Sequence, residues 1–444
     1  SARYPELVAV IAAIERPALR PHALPIAERF VENQQDNYQN MDWERRVRWL
    51  RAKTRWLADA KTAALPMYAP PAPLTQWAPV SHPTAESRGR GLPPATWKYE
   101  QGKVEFFTGQ GGDSLYYQSP LTGNFEVRCR RSTIGWKEIR LLFAGIAFDI
   151  HHEGRAAWRA PLARPQSQIP FSTLLENWGE AVDYRIVVQD GQYTVFFNDR
   201  QVHSERLAAD ADPWLAIQTA HGHFNGWVEN LQILGSPTIP AEIKLSTANN
   251  LFAWRGDYYG DSVDTEDALW IKEKDEIVGR LHEPAPSSQR ESVLYYHRPL
   301  LEDGELEYEF YYEPGKTEIH PALDRVAFML LPEGLKLHYL TDAAYDRSGL
   351  DPENLTELPA ARKFSLKARD WNKLRLKLVG DIVTLNVNGE EVAEHKLEPT
   401  NQRLFGLFRY SDSTSARVRN VVYRGNWPTT LPSINDQQLA RPSR

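Results

Sequence analysis

The chain carries 444 residues, 42% of them hydrophobic, which supplies cores for two or three domains and excludes disorder along the whole length. A formal net charge of -6 and a pI near 6.1 leave no global basic face, so nucleic acid is excluded as a partner of first choice. No stretch reaches the ~18 apolar residues of a membrane-spanning helix, and the lone cysteine, Cys129, excludes an intramolecular disulfide.

Residues 1–65 read as a helical segment. Glu6 to Ile14 is apolar and Ala-rich until Pro17 and Pro21 break it, and Met41 to Ala64 is a longer helix with Trp43, Val47, Leu50, Thr54 and Leu57 at three-four spacing. That stripe must bury against something, while Arg45, Arg46, Arg48, Arg51, Lys53, Arg55 and Lys61 read as a solvated basic face. A protein partner is expected for these helices. Residues 66–95 hold Pro70, Pro71, Pro73, Pro79, Pro83, Pro93 and Pro94 and are expected to form an extended linker or a strap on the surface.

From Thr96 onward the pattern turns to short alternating strands. Phe125-Glu-Val-Arg-Cys, Tyr184-Arg-Ile-Val-Val, Leu306-Glu-Tyr-Glu-Phe, Leu374-Arg-Leu-Lys-Leu and Val383-Thr-Leu-Asn-Val each place apolar residues on one face, with Cys129 among the core positions. Asp190-Gly191, Asn198-Asp199, Gly380-Asp381 and Asn388-Gly389 supply the positive φ that tight hairpins need.

Three segments recur in the same order. Leu115-Tyr-Tyr-Gln-Ser-Pro-Leu121 returns as Leu294-Tyr-Tyr-His-Arg-Pro-Leu300; Tyr184 to Val188 with the hairpin that follows returns as Leu374 to Leu378; and Val228-Glu-Asn230-Leu returns as Val418-Arg-Asn420-Val. The recurrence predicts a mainly β protein of two tandem antiparallel jelly-roll sandwiches, residues 96–240 and 250–430, behind the short helical start.

The strand motifs carry a resemblance. A Trp-containing opening strand (Trp97 with Gly102, Trp270 with Gly279), a Phe125-Glu-Val strand, a hairpin ending at Asn198 or Asn388-Gly389 and the closing strand with Asn230 or Asn420 resemble the concanavalin A-like lectin/glucanase superfamily. Within it they look like laminin-G-like and keto-disaccharide-hydrolase-like bacterial sandwiches, and like related double sandwiches of unknown function. The resemblance implies a fold; such folds host lectins, glycosidases, lyases and adhesive modules, so activity must come from a site.

Retaining glycosidases need two carboxylates about 5 Å apart. Glu305, Glu307 and Glu309 share one face of a strand and are the catalytic candidates, although the same alternation describes the wet side of a half-buried strand. His151, His152, Trp158, Arg159, His221, His223 and Trp227 combine rings that stack on sugar faces with groups that bond hydroxyls, and are the substrate-binding candidates. Local packing and surface placement are the plainer reading of the same residues, and transition-metal ligation by the histidines is a third. No cofactor is required, but the superfamily often carries a structural calcium, and Asp257, Asp261 and Asp264 are the oxygen ligands available for one.

The expected function is therefore a non-catalytic carbohydrate-binding or structural double sandwich with a polysaccharide or glycan as partner. A glycan-cleaving enzyme working from one sandwich, and an assembly subunit making protein contacts only, are the alternatives. A start at Ser1 suggests processing or trimming, and a content of one Cys and three Met fits an exported protein, periplasmic, cell-surface or extracellular, about as well as a cytoplasmic one.

Overall fold

A computed structural model describes residues 4–15, 18–33, scattered positions between 43 and 54, 76–81 and 95–431, except 101–102, 109–111, 134–138, 152–153, 164, 221–225, 247–249, 257–262, 283–290, 341–354, 359–360 and 399–400. Two antiparallel β-sandwiches follow a helical start.

The helices are Tyr4–Glu15 and Arg20–Glu32. The second runs through the region that Pro21 was expected to break. Pro21 lies in the first turn, where a missing N–H costs nothing because that donor has no intrahelical partner, whereas Pro25 lies inside the helix and removes one intrahelical donor. The described residues between 43 and 54 are helical, and Val47 and Leu50 bury against Leu7, Ile11, Ile14, Ala23 and Ala27 in a small core of their own. Arg46 departs from the expected solvated face and is fully buried.

In the first sandwich the front sheet runs Trp77–Val80, Ser114–Tyr117, Ala216–Thr219, Ile139–Phe143, Ile146–His151, Ala156–Pro161, Ser167–Pro170. Its edge strand, Trp77–Val80, comes from the Pro-rich strap. The back sheet runs Arg200–Arg206, Gln192–Phe197, Ala181–Gln189, Thr122–Ser132, Trp227–Thr238, Lys103–Thr108, Thr96–Glu100.

The second sandwich repeats both orders and adds one strand, Ile243–Lys244, which pairs with Ala416–Gly425 of its back sheet. Its front sheet runs Trp254–Gly256, Glu291–Tyr296, Phe405–Tyr410, His320–Leu323, Val326–Leu331, Gly334–Tyr339, Leu355–Glu357. Its back sheet runs Glu390–Lys396, Ile382–Val387, Asp370–Val379, Gly304–Tyr312, Ala416–Gly425, Glu276–Gly279, Trp270–Glu273.

The turn chemistry is where the sequence places it: Asp190, Gly191, Asn198, Asp199, Asn388 and Gly389 all have positive φ. The recurring Asn has the same basis. Asn230 and Asn420 both adopt φ 53°, at a register shift where the closing strand pairs with its neighbour. Each of these bulges holds one residue in the left-handed region, which Asn tolerates and most side chains do not.

Between the sheets of the first sandwich, Val104, Phe106, Phe125, Val127, Cys129, Tyr184, Ile186, Val195 and Phe197 interlock with Leu115, Leu141, Phe148, Leu215 and Ile217. The second core extends across the boundary, joining Leu306, Tyr308, Leu374, Leu376 and Val418 to Tyr116, Leu142, Ala147, Trp214 and Ala216 of the first sandwich. Full burial of each large apolar side chain is worth about 1.5–3 kcal/mol, so the shared cluster binds the two halves into one body. The segment Leu251 to Trp254 makes the junction. It passes so close to the turn at Gly145, where φ is 70°, that a Cβ there would lie 2.7 Å from the Phe252 carbonyl carbon.

Candidate functional site

Strand alternation gives each front sheet an inner face toward its core and an outer face. On the first front sheet Gln218 is the cross-strand neighbour of both Ser114 and Arg140, and Asp149 is the neighbour of Trp158. The face turned away from the first core therefore carries a continuous polar row from Ser114 to Trp158; its other residues, Tyr116, Leu142, Ala147 and Ala216, pack into the second core, and Ser114, Gln218 and Asp149 are buried while Arg140 and Trp158 are half-buried. Arg140 Nε donates to Gln218 Oε1 at 2.9 Å, Gln218 Nε2 donates to Ser114 Oγ at 3.3 Å, and Ser114 Oγ donates to the Gly112 carbonyl at 3.2 Å. Asp149 lies 3.7 Å from Arg140 and accepts from Arg131 of the back sheet at 2.9 Å. Arg131 is fully buried, and its Nη1 also donates to the Ile139 carbonyl. Burial pulls down the pKa of the Arg140 guanidinium; Asp149 opposes that pull, and the charges of Arg255 and Arg131 add to it.

The equivalent face of the second sandwich is built differently. When Tyr116 is matched with Tyr295, the pairing registers put Val293 in place of Ser114, Phe408 for Gln218, His320 for Arg140, Met329 for Asp149 and Lys336 for Trp158. Val293, Tyr295, Ala322, Ala327, Met329 and Phe408 form a closed apolar cluster. Glu291 and His338, whose counterparts in the first sandwich are Gly112 and Ala160, face each other at 2.7 Å inside it. His320 Nδ1 accepts the Leu330 N–H at 3.0 Å, and burial, with help from His338, pushes its pKa down to about 3. Large side chains fill the second face where small and polar ones line the first.

The structure disperses the substrate-binding candidates. Trp158 lies half-buried on the first front face beside Asp149. Arg159 has the opposite parity: it pairs with Glu205 of the back sheet at 3.0 Å and stacks on Phe252 at 5.1 Å. Trp227 is on the back sheet, with the Lys103 ammonium 3.9 Å over its ring. His151 ends the strand Ile146–His151, but its side chain, like His152, His221 and His223, lies outside the described residues.

The three glutamates lie on the outer face of the second back sheet, each in a cross-strand ion pair: Glu305 with Arg375 at 3.9 Å, Glu307 with Lys373 at 2.9 Å, Glu309 with Arg419 at 2.6 Å. Burial alone would raise the pKa of Glu307, but Lys373 and Arg424 outweigh it and hold the carboxyl below its usual range, the opposite of what a general acid needs. Asp257 and Asp261 lie outside the described residues, while Asp264 accepts the backbone N–H groups of Leu251 at 3.4 Å and Lys272 at 3.3 Å. Among the described residues no three His, Cys, Asp or Glu side chains converge as a metal site.

Ser114, Arg140, Asp149 and Gln218 escaped the sequence reading because no motif joins them. Their only signal is a polar residue at an outward position of an otherwise apolar strand, as in Ile139-Arg-Leu-Leu-Phe and Ala216-Ile-Gln-Thr.

A family model described as a domain of unknown function, DUF1583_N, matches residues 285–430, and one described as a protein of unknown function, DUF1581, matches residues 185–270 across the boundary between the sandwiches. A search of curated proteins finds no match. Among solved structures, the chain is similar to a putative glycosyl hydrolase from Parabacteroides distasonis at 12% identity and a TM-score of 0.28, over 42% of this chain and 94% of that one. It is similar to the carbohydrate-binding module CBM66 from Bacillus subtilis at 14% identity and 0.26, over 38% and 93%. Mouse laminin alpha1 domains LG4-5 match at 13% identity and 0.22, over 79% and 88%.

Proposed function

We propose that this chain is a non-catalytic, exported carbohydrate-binding protein whose recognition surface is the part of the first front sheet around the half-buried Trp158. The observation that carries the reading is the half-buried Trp158 indole on a rigid sheet, with half-buried Arg140 on the same face and the buried row of Ser114, Gln218 and Asp149 holding the strands behind them. A sugar presents an apolar ring face to such an indole and hydroxyls to such polar groups. The second sandwich lacks the row and fills the same face with its own side chains, so it serves as the scaffold that fixes the first. The three glutamates, bound to cations on the far sheet, support binding rather than hydrolysis.

A glycan array on the full chain tests this. Trp158→Ala is expected to abolish the signal with folding retained, and Trp227→Ala, on the opposite sheet, to leave it intact. A blank array for the wild type, or a signal lost only in Trp227→Ala, overturns the proposal.

A further inference from the structure

The outer face of the first back sheet holds a solvent-facing cleft of about 580 Å³. Across its floor runs the row Arg185, Arg128, Gln232, in which Arg128 is the register neighbour of both of the others. Two guanidiniums therefore stand side by side on adjacent strands, which costs stability unless an opposite charge lies between them. Arg128 is exposed, and among the described residues its one hydrogen-bond partner is Gln232, which accepts from Nε at 2.9 Å. Arg185 stacks at 3.9 Å on Phe196, and its nearest carboxylates, Asp199 at 3.6 Å and Glu126 at 3.8 Å, lie beyond hydrogen-bond reach. The Nη groups of both arginines thus keep hydrogen bonds to give.

The second sandwich shows the same row closed. Glu307 faces Arg375 and Val422 in the matching register, so it stands where Arg128 does, and Lys373 at 2.9 Å and Arg424 at 3.5 Å hold it. In the next row Asp183, Arg130 and Glu229 become Lys373, Glu309 and Arg419, every sign reversed and the balance kept. At Arg128 the balance is not kept: it faces a second cation in Arg185, and among the described residues no carboxylate forms an ion pair with it.

We infer that this cleft is a second ligand site, for a saccharide that bears a carboxylate, with the carboxylate on Arg128 and Arg185 and ring hydroxyls donating to Glu126 and Asp183. The planar fork of Arg matches a carboxylate in geometry as well as charge. Glu126, Asp183 and Asp199 also line the cleft, so a ligand with several charges on each residue is repelled there, whereas a uronic acid brings one carboxylate for the arginines and hydroxyls for the acids. The site goes beyond the front-sheet reading and is independent of it, since it lies on the opposite sheet.

Calorimetric titration of the full chain with polygalacturonate, dextran sulfate and neutral dextran tests this. Polygalacturonate is expected to bind, dextran sulfate to bind more weakly and dextran not at all, and raised salt should weaken the uronate signal. Arg128→Glu gives the first sandwich the residue that the second carries, opposite Arg185, so it is expected to fold and to weaken uronate binding by about tenfold or more. Thermal unfolding checks the fold, and Arg128→Gln, which adds no new charge, is the second variant. Trp158→Ala, which removes the front-sheet ligand, should leave uronate binding intact. Uronate binding that survives both substitutions at Arg128 overturns the inference, as does dextran or dextran sulfate bound as tightly as polygalacturonate. Uronate binding lost in Trp158→Ala but kept in Arg128→Glu also overturns it, and places the uronate on the front sheet. No uronate binding, with other glycans still bound, removes this site and leaves the front-sheet reading standing.

Discussion

The hydroxyl of Tyr116, on the first sandwich, lies 2.9 Å from Nδ1 of His297, on the second, although 181 residues separate them in the chain. On its other side His297 Nε2 is 3.0 Å from Asp212, which also accepts the Tyr296 hydroxyl, and all four residues are buried. With Nε2–H donated to Asp212, Nδ1 can accept from Tyr116, whose hydroxyl also lies 3.1 Å from the His297 carbonyl. Tyr116→Phe strands a buried acceptor and is expected to cost about 1–3 kcal/mol. Asp212→Ala strands two donors and should cost more. Urea unfolding measures both; values within about 0.5 kcal/mol of wild type, the usual range for a surface change, would show that the network holds nothing together.

Gly145 is the tightest point of the boundary. A side chain there meets the Phe252 carbonyl and must also adopt φ 70°. Gly145→Ala is expected to destabilise by more than about 1 kcal/mol through strain alone. Because the second core includes residues of the first sandwich, calorimetry should resolve two transitions in the variant where the wild type shows one. A single unshifted transition would contradict the account of the junction.

His320 makes the second sandwich sensitive to acid. Its folded pKa is held down to about 3, from an ordinary value of 6.5, by burial and secondarily by His338. The unfolded chain therefore binds the extra proton first as pH falls. The stabilising contribution is complete above about 6.5 and is lost progressively as pH drops toward 3. Burial shifts His395 in the same direction, so His320→Gln should flatten only part of the decline. Urea midpoints at pH 7.5, 6 and 4.5 in both proteins measure the difference; parallel curves would refute the assignment.

Cys129 is buried in the first core, and burial pushes its thiol up to about 12. The thiolate is the reactive form, so iodoacetamide at pH 8 should leave the native chain unmodified and alkylate it fully in urea. Native labelling at the rate of a free thiol would mean that the first sandwich opens readily.

Much of the fold was legible in local patterns. Period-two alternation marks the strands, Asn-Gly and Asp-Gly the hairpins, and Asn230 and Asn420 the paired bulges, because each reports a backbone conformation that its own residue decides. The helix Arg20–Glu32 was hidden because Pro21 reads as a breaker until its place in the first turn is known. Of the site, only Trp158 was named beforehand. Alternation tells which residues share a face, but not which face meets solvent, a second sheet or another domain. Strand pairing brought Ser114, Arg140 and Gln218 together and sent Arg159 and Trp227 elsewhere, and the packing of one sandwich on the other buried Ser114 and Gln218. Those choices depend on contacts between residues a hundred or more positions apart, whose free energy no local stretch of sequence contains.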